Sequence, residues 1–220
     1  MKKIIALVAG LAMSMTAVFA ENTIHLGAYF PLDKANYDGS GVFSTGVGGA
    51  LDYTHVADGG FTWKAGLGLN TLKTDDVEVD DTKLDDGVDF NLGLGFGWSF
   101  IHDEKMTFSV TGDFGLRFGG FDKKIDYQIG GVTVAEAKYR LDKIVFYIGP
   151  EATFTYRFTD HLGAFGAFGI FYQKSLGDQE FNVEYDLKVK DENVNLVSGK
   201  EKMPISGFIF QPKLGLSWTF

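Results

Sequence analysis

Cysteine is absent from the 220 residues, so neither a disulfide staple nor thiolate chemistry is open to this chain. Proline occurs four times, which leaves long stretches free to form ladders, since each proline removes a strand donor. Bases are in the minority: 20 Lys and Arg face 29 Asp and Glu, for a formal charge of −9. A chain this acidic repels nucleic-acid phosphates, so nucleic acid is excluded as a partner. After residue 20, no stretch approaches the 18 or so consecutive apolar residues of a membrane helix. A membrane crossing, if there is one, has to use strands.

The N-terminus reads Met1-Lys2-Lys3 followed by an uncharged apolar run over residues 4–20 that ends Val18-Phe19-Ala20. A basic start, a short apolar run and small residues before a cut predict a secretory signal over 1–20, with the mature chain at 21–220 beginning at Glu21. The run is at the short limit for a membrane anchor.

Glycine is plentiful (29 residues) and aromatics reach 15%. The last stretch, 207–220, shows the pattern that recurs throughout. Phe208, Phe210, Leu214, Leu216, Trp218 and Phe220 fall on one face, and Gln211, Lys213, Gly215, Ser217 and Thr219 on the other. Alternation of this kind is a strand with one greasy and one polar side. It recurs over about 23–30, 46–56, 61–71, 88–100, 106–118 and 144–158, and with 162–172, a strand apolar on both sides, that makes eight strands. The connections between them run long, short, long, short, long, short, long. Asp58-Gly59-Gly60, His102-Asp103-Glu104 and Thr159-Asp160-His161 are the short turns. Pro150 and Pro212 lie within strands, where a bulge or bend is expected. Residues 124–134, 180–189 and 194–197 alternate too, and suggest that strands five to eight continue outward as a protruding sheet.

A terminal aromatic that closes an alternating strand resembles the insertion signal read by the assembly machinery of bacterial outer-membrane barrels, here Leu214, Leu216, Trp218 and Phe220. With the signal, the even strand count and the loop rhythm, the chain resembles the small outer-membrane barrels of the OmpA membrane-domain, OmpX, OmpW and opacity types. No motif selects one of these. The resemblance implies an all-β fold: an eight-stranded antiparallel up-and-down transmembrane barrel, monomeric, with both termini and the short turns periplasmic and the long loops extracellular. It also implies outer-membrane lipid and the barrel-assembly machinery as partners. A soluble eight-stranded calyx, with its apolar face inside, is the alternative architecture.

The polar faces place Asp52, Asp89, Asp113 and Glu151 inward with Lys64, Arg117, Lys143, Arg157 and Lys213. Buried charges require matching, so these nine residues are expected to form an ion-pair plug, with Asp52 beside Lys64 and Asp89 beside Arg117. Gly66, Gly68, Gly93, Gly95 and Gly97 also face inward and suggest a wall without side chains along a narrow path. Inward Tyr147, Phe165 and Phe171 suit a small apolar solute on that path.

The four histidines, His25, His55, His102 and His161, map to the turn end, away from the long loops, so no catalytic residues are assigned and no enzyme or cofactor is expected. The acidic run Asp75, Asp76, Glu78, Asp80, Asp81, Asp85, Asp86 lacks the spacing of a calcium loop and reads as a solvated, self-repelling loop rather than a metal site. Two functions are carried forward. The first is a surface protein with a structural or adhesive role, meeting an extracellular ligand through its loops. The alternative is a narrow porin-like or apolar-compound channel.

Overall fold

A computed structural model describes residues 21–37, 40–74, 78–79, 82–83, 87–129, 132–177, 179–189 and 192–220. The signal expected over 1–20, the turn expected at Gly130-Gly131 and most of the acidic run lie outside the described residues. The strands are β1 (Glu21–Tyr29), β2 (Leu32–Tyr37), β3 (Ser40–Val56), β4 (Phe61–Thr74), β5 (Glu78–Val79), β6 (Thr82–Lys83), β7 (Gly87–His102), β8 (Met106–Ile129), β9 (Val132–Arg157), β10 (Leu162–Ser175), β11 (Gln179–Val189), β12 (Glu192–Met203) and β13 (Ile205–Thr219).

Eight staves close into an antiparallel barrel. The ring runs β1–β3–β4–β7–β8–β9–β10–β13 and returns to β1. Closure joins the two ends of the chain. Thr23 lies opposite Thr219, and the Phe220 N–H donates to the Asn22 carbonyl at 2.9 Å. Both ends of the barrel chain and the turns at 57–60, 103–105 and 158–161 therefore share one end, called here the terminal end, opposite a distal end.

The facing of each strand follows its alternation. In β13, Phe208, Phe210, Leu214, Leu216, Trp218 and Phe220 are exposed, while Ile209, Gln211, Lys213, Ser217 and Thr219 are buried. The same holds around the ring, with Leu67, Leu92, Phe96, Ile148, Phe154 and Phe168 pointing out. Arg117 and Lys143 are 1% and 2% exposed, whereas Phe100 and Leu26 are 67% and 64% exposed. This is the reverse of a soluble core. A continuous apolar belt of this extent is what lipid covers, and it rules out the calyx.

Within 31–44, expected as a loop, residues 32–37 and 40–44 are strand. β2 pairs with β13 and β3, continuing the β1 stave after a break at Phe30-Pro31. Pro31 disguises this continuation by interrupting the ladder. The Phe30 N–H still donates to the Pro212 carbonyl (3.0 Å), and the Gly46 N–H to the Pro31 carbonyl (2.9 Å). The expected bulges at Pro150 and Pro212 do not occur. Register runs unshifted through Gly112↔Pro150 and Phe168↔Pro212. Each proline instead coincides with a lapse in its other ladder, opposite Ile170 and Phe171 for Pro150 and at the β1–β2 break for Pro212. In the β7–β8 ladder the register shift falls between Ser99 and Ile101.

β8 and β9 stay paired out to Ile129↔Val132, well beyond the last β7 partner, Gly120. β11 joins the far part of β9, from Phe181↔Leu141 to Leu187↔Ala135, and β12 joins β11. Residues 119–129 and 132–142 are thus strand within a four-stranded sheet that rises from the distal end, as the alternation over 124–134, 180–189 and 194–197 suggested. The turns at the other end are tight. Gly60, at φ +88°, donates to the Ala57 carbonyl at 2.7 Å, and a Cβ there would press on the Trp98 indole. Asp103 accepts from the Lys105 and Met106 N–H groups at 2.8 Å each, and these bonds hold its carboxyl below the usual value. A lowered folded-state value means that this contribution is present at neutral pH and is lost as pH falls through it.

Leu67→Arg places a charge in the middle of the belt. The unfolding free energy in vesicles, followed by tryptophan fluorescence in denaturant, is expected to fall by about 2–4 kcal/mol. An unchanged midpoint would mean that this face meets water.

Candidate functional site

Among the described residues, the lumen gathers most of the buried charge. Its side chains arrive from every second residue of each stave and are stacked in layers. Nearest the terminal end, the Arg157 guanidinium pairs with Glu21 at 2.6 Å and donates to the Asp103 carbonyl, with His102 3.6 Å from Glu21. Arg157, expected among the plug charges, is therefore a rim residue.

The central layer joins five of the expected residues. The Lys64 ammonium lies 2.5 Å from Asp113 and also donates to Glu151. The Lys213 ammonium lies 2.9 Å from Asp52 and 3.2 Å from the second Glu151 oxygen. Glu151, 2% exposed, thus bridges two lysines from across the lumen. Asp52 does not partner Lys64 as expected. The β3–β4 register puts Thr54 opposite Lys64 and Gly66 opposite Asp52, a two-residue offset that sends Asp52 to Lys213. His25 is buried in this region, its ring within hydrogen-bond reach of Thr155 (3.0 Å) and Thr54 (3.4 Å) and against the Phe165 ring.

The distal layer is centred on Arg117. It donates to Asp33 at 2.9 Å, to Gln173 at 3.0 Å and to Asp89. Lys143 lies 3.0 Å from Asp89 and 3.8 Å from Asp33. Asp89 and Arg117 meet diagonally, since Asn91 is the residue directly opposite Arg117. Asp33 and Gln173 were missed by the sequence reading, which placed 33 in a loop and 173 in a connection. The signal was present: Leu32, Lys34 and Asn36 are exposed and Asp33 and Ala35 buried, a short alternation hidden behind Pro31.

Between the two layers lie Tyr29, Tyr147, Phe171 and Ile209. The Tyr147 and Phe171 rings are 5.3 Å apart, edge to face, and Asn91 donates to the Tyr29 hydroxyl at 3.3 Å. Beyond the distal layer, Ala35, Val145 and Ile205 are 3% exposed or less and pack as an apolar stopper. Phe165 and Phe171 face inward.

The inward glycines do not leave an open wall. A side chain at Gly66 would strike the Asp52 carboxylate, at Gly93 the Tyr147 hydroxyl, and at Gly95 the Asp113 carboxylate and Lys64 stem. At Gly68 it would meet the Asn91 amide, and at Gly97 the Val110 carbonyl. Most of this space is already occupied by side chains from other staves. What remains beside the central layer is a cavity of about 20 Å³, room for roughly one water.

Leu214, Leu216, Trp218 and Phe220 stand on the lipid face, with the Trp218 ring stacked on His161 at 5.5 Å. Most of the acidic run lies outside the described residues, although Glu78 and Lys83 are opposite one another in the β5–β6 ladder.

No protein-family model matches the chain, and no curated protein matches it. Solved structures with the same fold include a major outer-membrane protein from Thermus thermophilus. It is 16% identical, with 91% of this chain and 99% of that one covered and a TM-score of 0.54. Another is the outer-membrane protein OprG from Pseudomonas aeruginosa, 14% identical, with 92% and 96% covered and a TM-score of 0.53. The fold is that of the small bacterial outer-membrane β-barrels.

Lys64→Gln leaves three buried carboxylates, Asp52, Asp113 and Glu151, with Lys213 alone among them, and is expected to lower the unfolding free energy by about 3–5 kcal/mol. Asp58→Asn, in an exposed turn, is the control and should leave it unchanged. Gly95→Leu is expected to abolish the folded form, read as loss of the heat-resistant band in electrophoresis, because the space it needs is taken.

Proposed function

We propose that this chain is a non-enzymatic surface protein of the outer membrane of a diderm bacterium, with a structural or adhesive role exerted from its distal side. The filled lumen carries this reading. Two ion-pair layers, the aromatic packing between them and the stopper at Ala35, Val145 and Ile205 occupy the space a solute path would need. An eight-stranded barrel has an interior that side chains can fill, and here they do. The sheet of β8, β9, β11 and β12 supports the same reading, because it extends backbone surface beyond the barrel on one side alone. In this reading the short terminal-end turns face the periplasm.

Residues 21–220, refolded and confirmed β-rich by circular dichroism, are expected to give no steady channels in a planar bilayer. Small, steady conductance would overturn the plugged lumen and favour the transport alternative. Replacing residues 121–141 and 179–203 by short turns should leave the heat-resistant barrel intact. The same replacement should reduce adherence of displaying cells to a panel of protein- and glycan-coated surfaces to that of cells without the protein.

A further inference from the structure

The outer wall of the barrel has a second cluster of polar groups, at the distal border of the apolar belt where β2, β13 and β10 run side by side. Register places these residues in two outward rows. In the lower row Lys34 lies opposite Phe208, and Phe208 opposite Tyr172. One residue pair further out on the same face, Asn36 lies opposite Ser206, and Ser206 opposite Lys174. The Phe208 and Tyr172 rings pack edge to face with centroids 5.6 Å apart, and both are well exposed (51% and 43%). Lys34, Asn36 and Lys174 are exposed as well.

Each part suits the edge of a bilayer. Tyrosine and phenylalanine present apolar ring surface at the level where acyl chains end. A lysine on a lipid-facing wall lays its stem along the apolar surface and carries its ammonium outward. The two lysines sit two strand spacings apart, about 10 Å sideways, with the Ser206 hydroxyl on the strand between them and the Asn36 amide beside Lys34 on β2. All four polar side chains can donate hydrogen bonds, and two are cationic, which is the chemistry of phosphate recognition.

Elsewhere on the described outer surface, the distal side exposes Lys73 and Asp142, and the terminal end is mainly acidic. The terminal-end turns expose Asp58, Asp103, Glu104 and Asp160 against Lys105. In a chain with 29 acids and 20 bases, a border carrying Lys34 and Lys174 is complementary to an anionic headgroup rather than an echo of composition.

We propose that Lys34, Asn36, Ser206 and Lys174, over the Phe208–Tyr172 pair, form a binding site for the net-anionic phosphate headgroup of a lipid in the outward leaflet. The occupant is a lipid and not a free anion, because the aromatic pair extends the site downward onto the acyl region. The inference rests on the barrel lying in a bilayer, as proposed above.

The test uses residues 21–220 refolded into phosphatidylcholine nanodiscs, with insertion checked on the same sample by the heat-resistant band, so that failure to insert is read separately from loss of the site. Phosphatidic acid is titrated in, and the number of its molecules retained per barrel after extraction into mild detergent is counted by native mass spectrometry. Retention by the wild type should exceed that of the Lys34→Gln/Lys174→Gln double variant at least tenfold and should weaken with salt. Lys34→Arg/Lys174→Arg should restore it, and Lys105→Gln, at the other end, should match the wild type. Equal retention by the double variant, or equal retention of phosphatidylcholine and phosphatidic acid, would overturn the site. Displacement by millimolar inorganic phosphate would overturn the lipid as its occupant.

Discussion

Inside a hydrocarbon layer no water is at hand to satisfy a backbone N–H or C=O, so a sheet that enters it must have no open edge. The ladder between β1 and β13 is where this chain meets that requirement, and the rest of the structure depends on it. Closure at Thr23↔Thr219 brings the two ends of the barrel strands together. With eight staves it sets a narrow ring. It also assigns the two faces of every strand, lipid to one and lumen to the other. Beyond the distal border water returns, and there the sheet of β8, β9, β11 and β12 continues without closing.

A narrow ring turns each inward charge into an obligation. Removing a carboxylate or ammonium from water is costly unless a counter-charge and hydrogen bonds replace the solvent. The barrel meets this with contacts that span the lumen: Glu151 of β9 reaches Lys64 of β4 and Lys213 of β13, strands that are not its neighbours in the sheet. The glycines of β4 and β7 make the arrangement possible by their lack of side chains. Asp52, Tyr147 and Asp113 fill the volume that a Cβ at Gly66, Gly93 or Gly95 would take. Glycine and charge are therefore two halves of one packing solution. A slip of one ladder by two residues would keep every face and separate these partners, so the network also holds the register.

Strand facing was legible residue by residue. The alternation of Phe208 to Phe220 and of Val88 to Phe100 needs no knowledge of neighbours, because side-chain direction in a strand is a property of its own backbone. Where the reading failed, a local signal was overridden. Pro31 and the polar residues after it mimic a loop, yet β2 keeps the β1 stave going, and with it Asp33 enters the lumen to meet Arg117. Pro150 and Pro212 suggested bulges, but each falls where one adjoining ladder already lapses, so the other carries the strand through. The lumen charges could be named but not all paired: Asp52 was expected beside Lys64, and only the stagger of the ring sends it to Lys213.

What the amino-acid order determined by itself was the kind of object: the number of staves, the side of each that is greasy, and the turns that join them at one end. These follow from period-two patterning and turn chemistry, both short-range. Only the tertiary structure decided which charges meet, that the glycine wall is covered, that the lumen is filled, and that Lys34 and Lys174 share a border with Tyr172 and Phe208. The reason is geometric. Contacts across a barrel, and rows around its wall, depend on the stagger and closure of all eight staves, and no single strand encodes these.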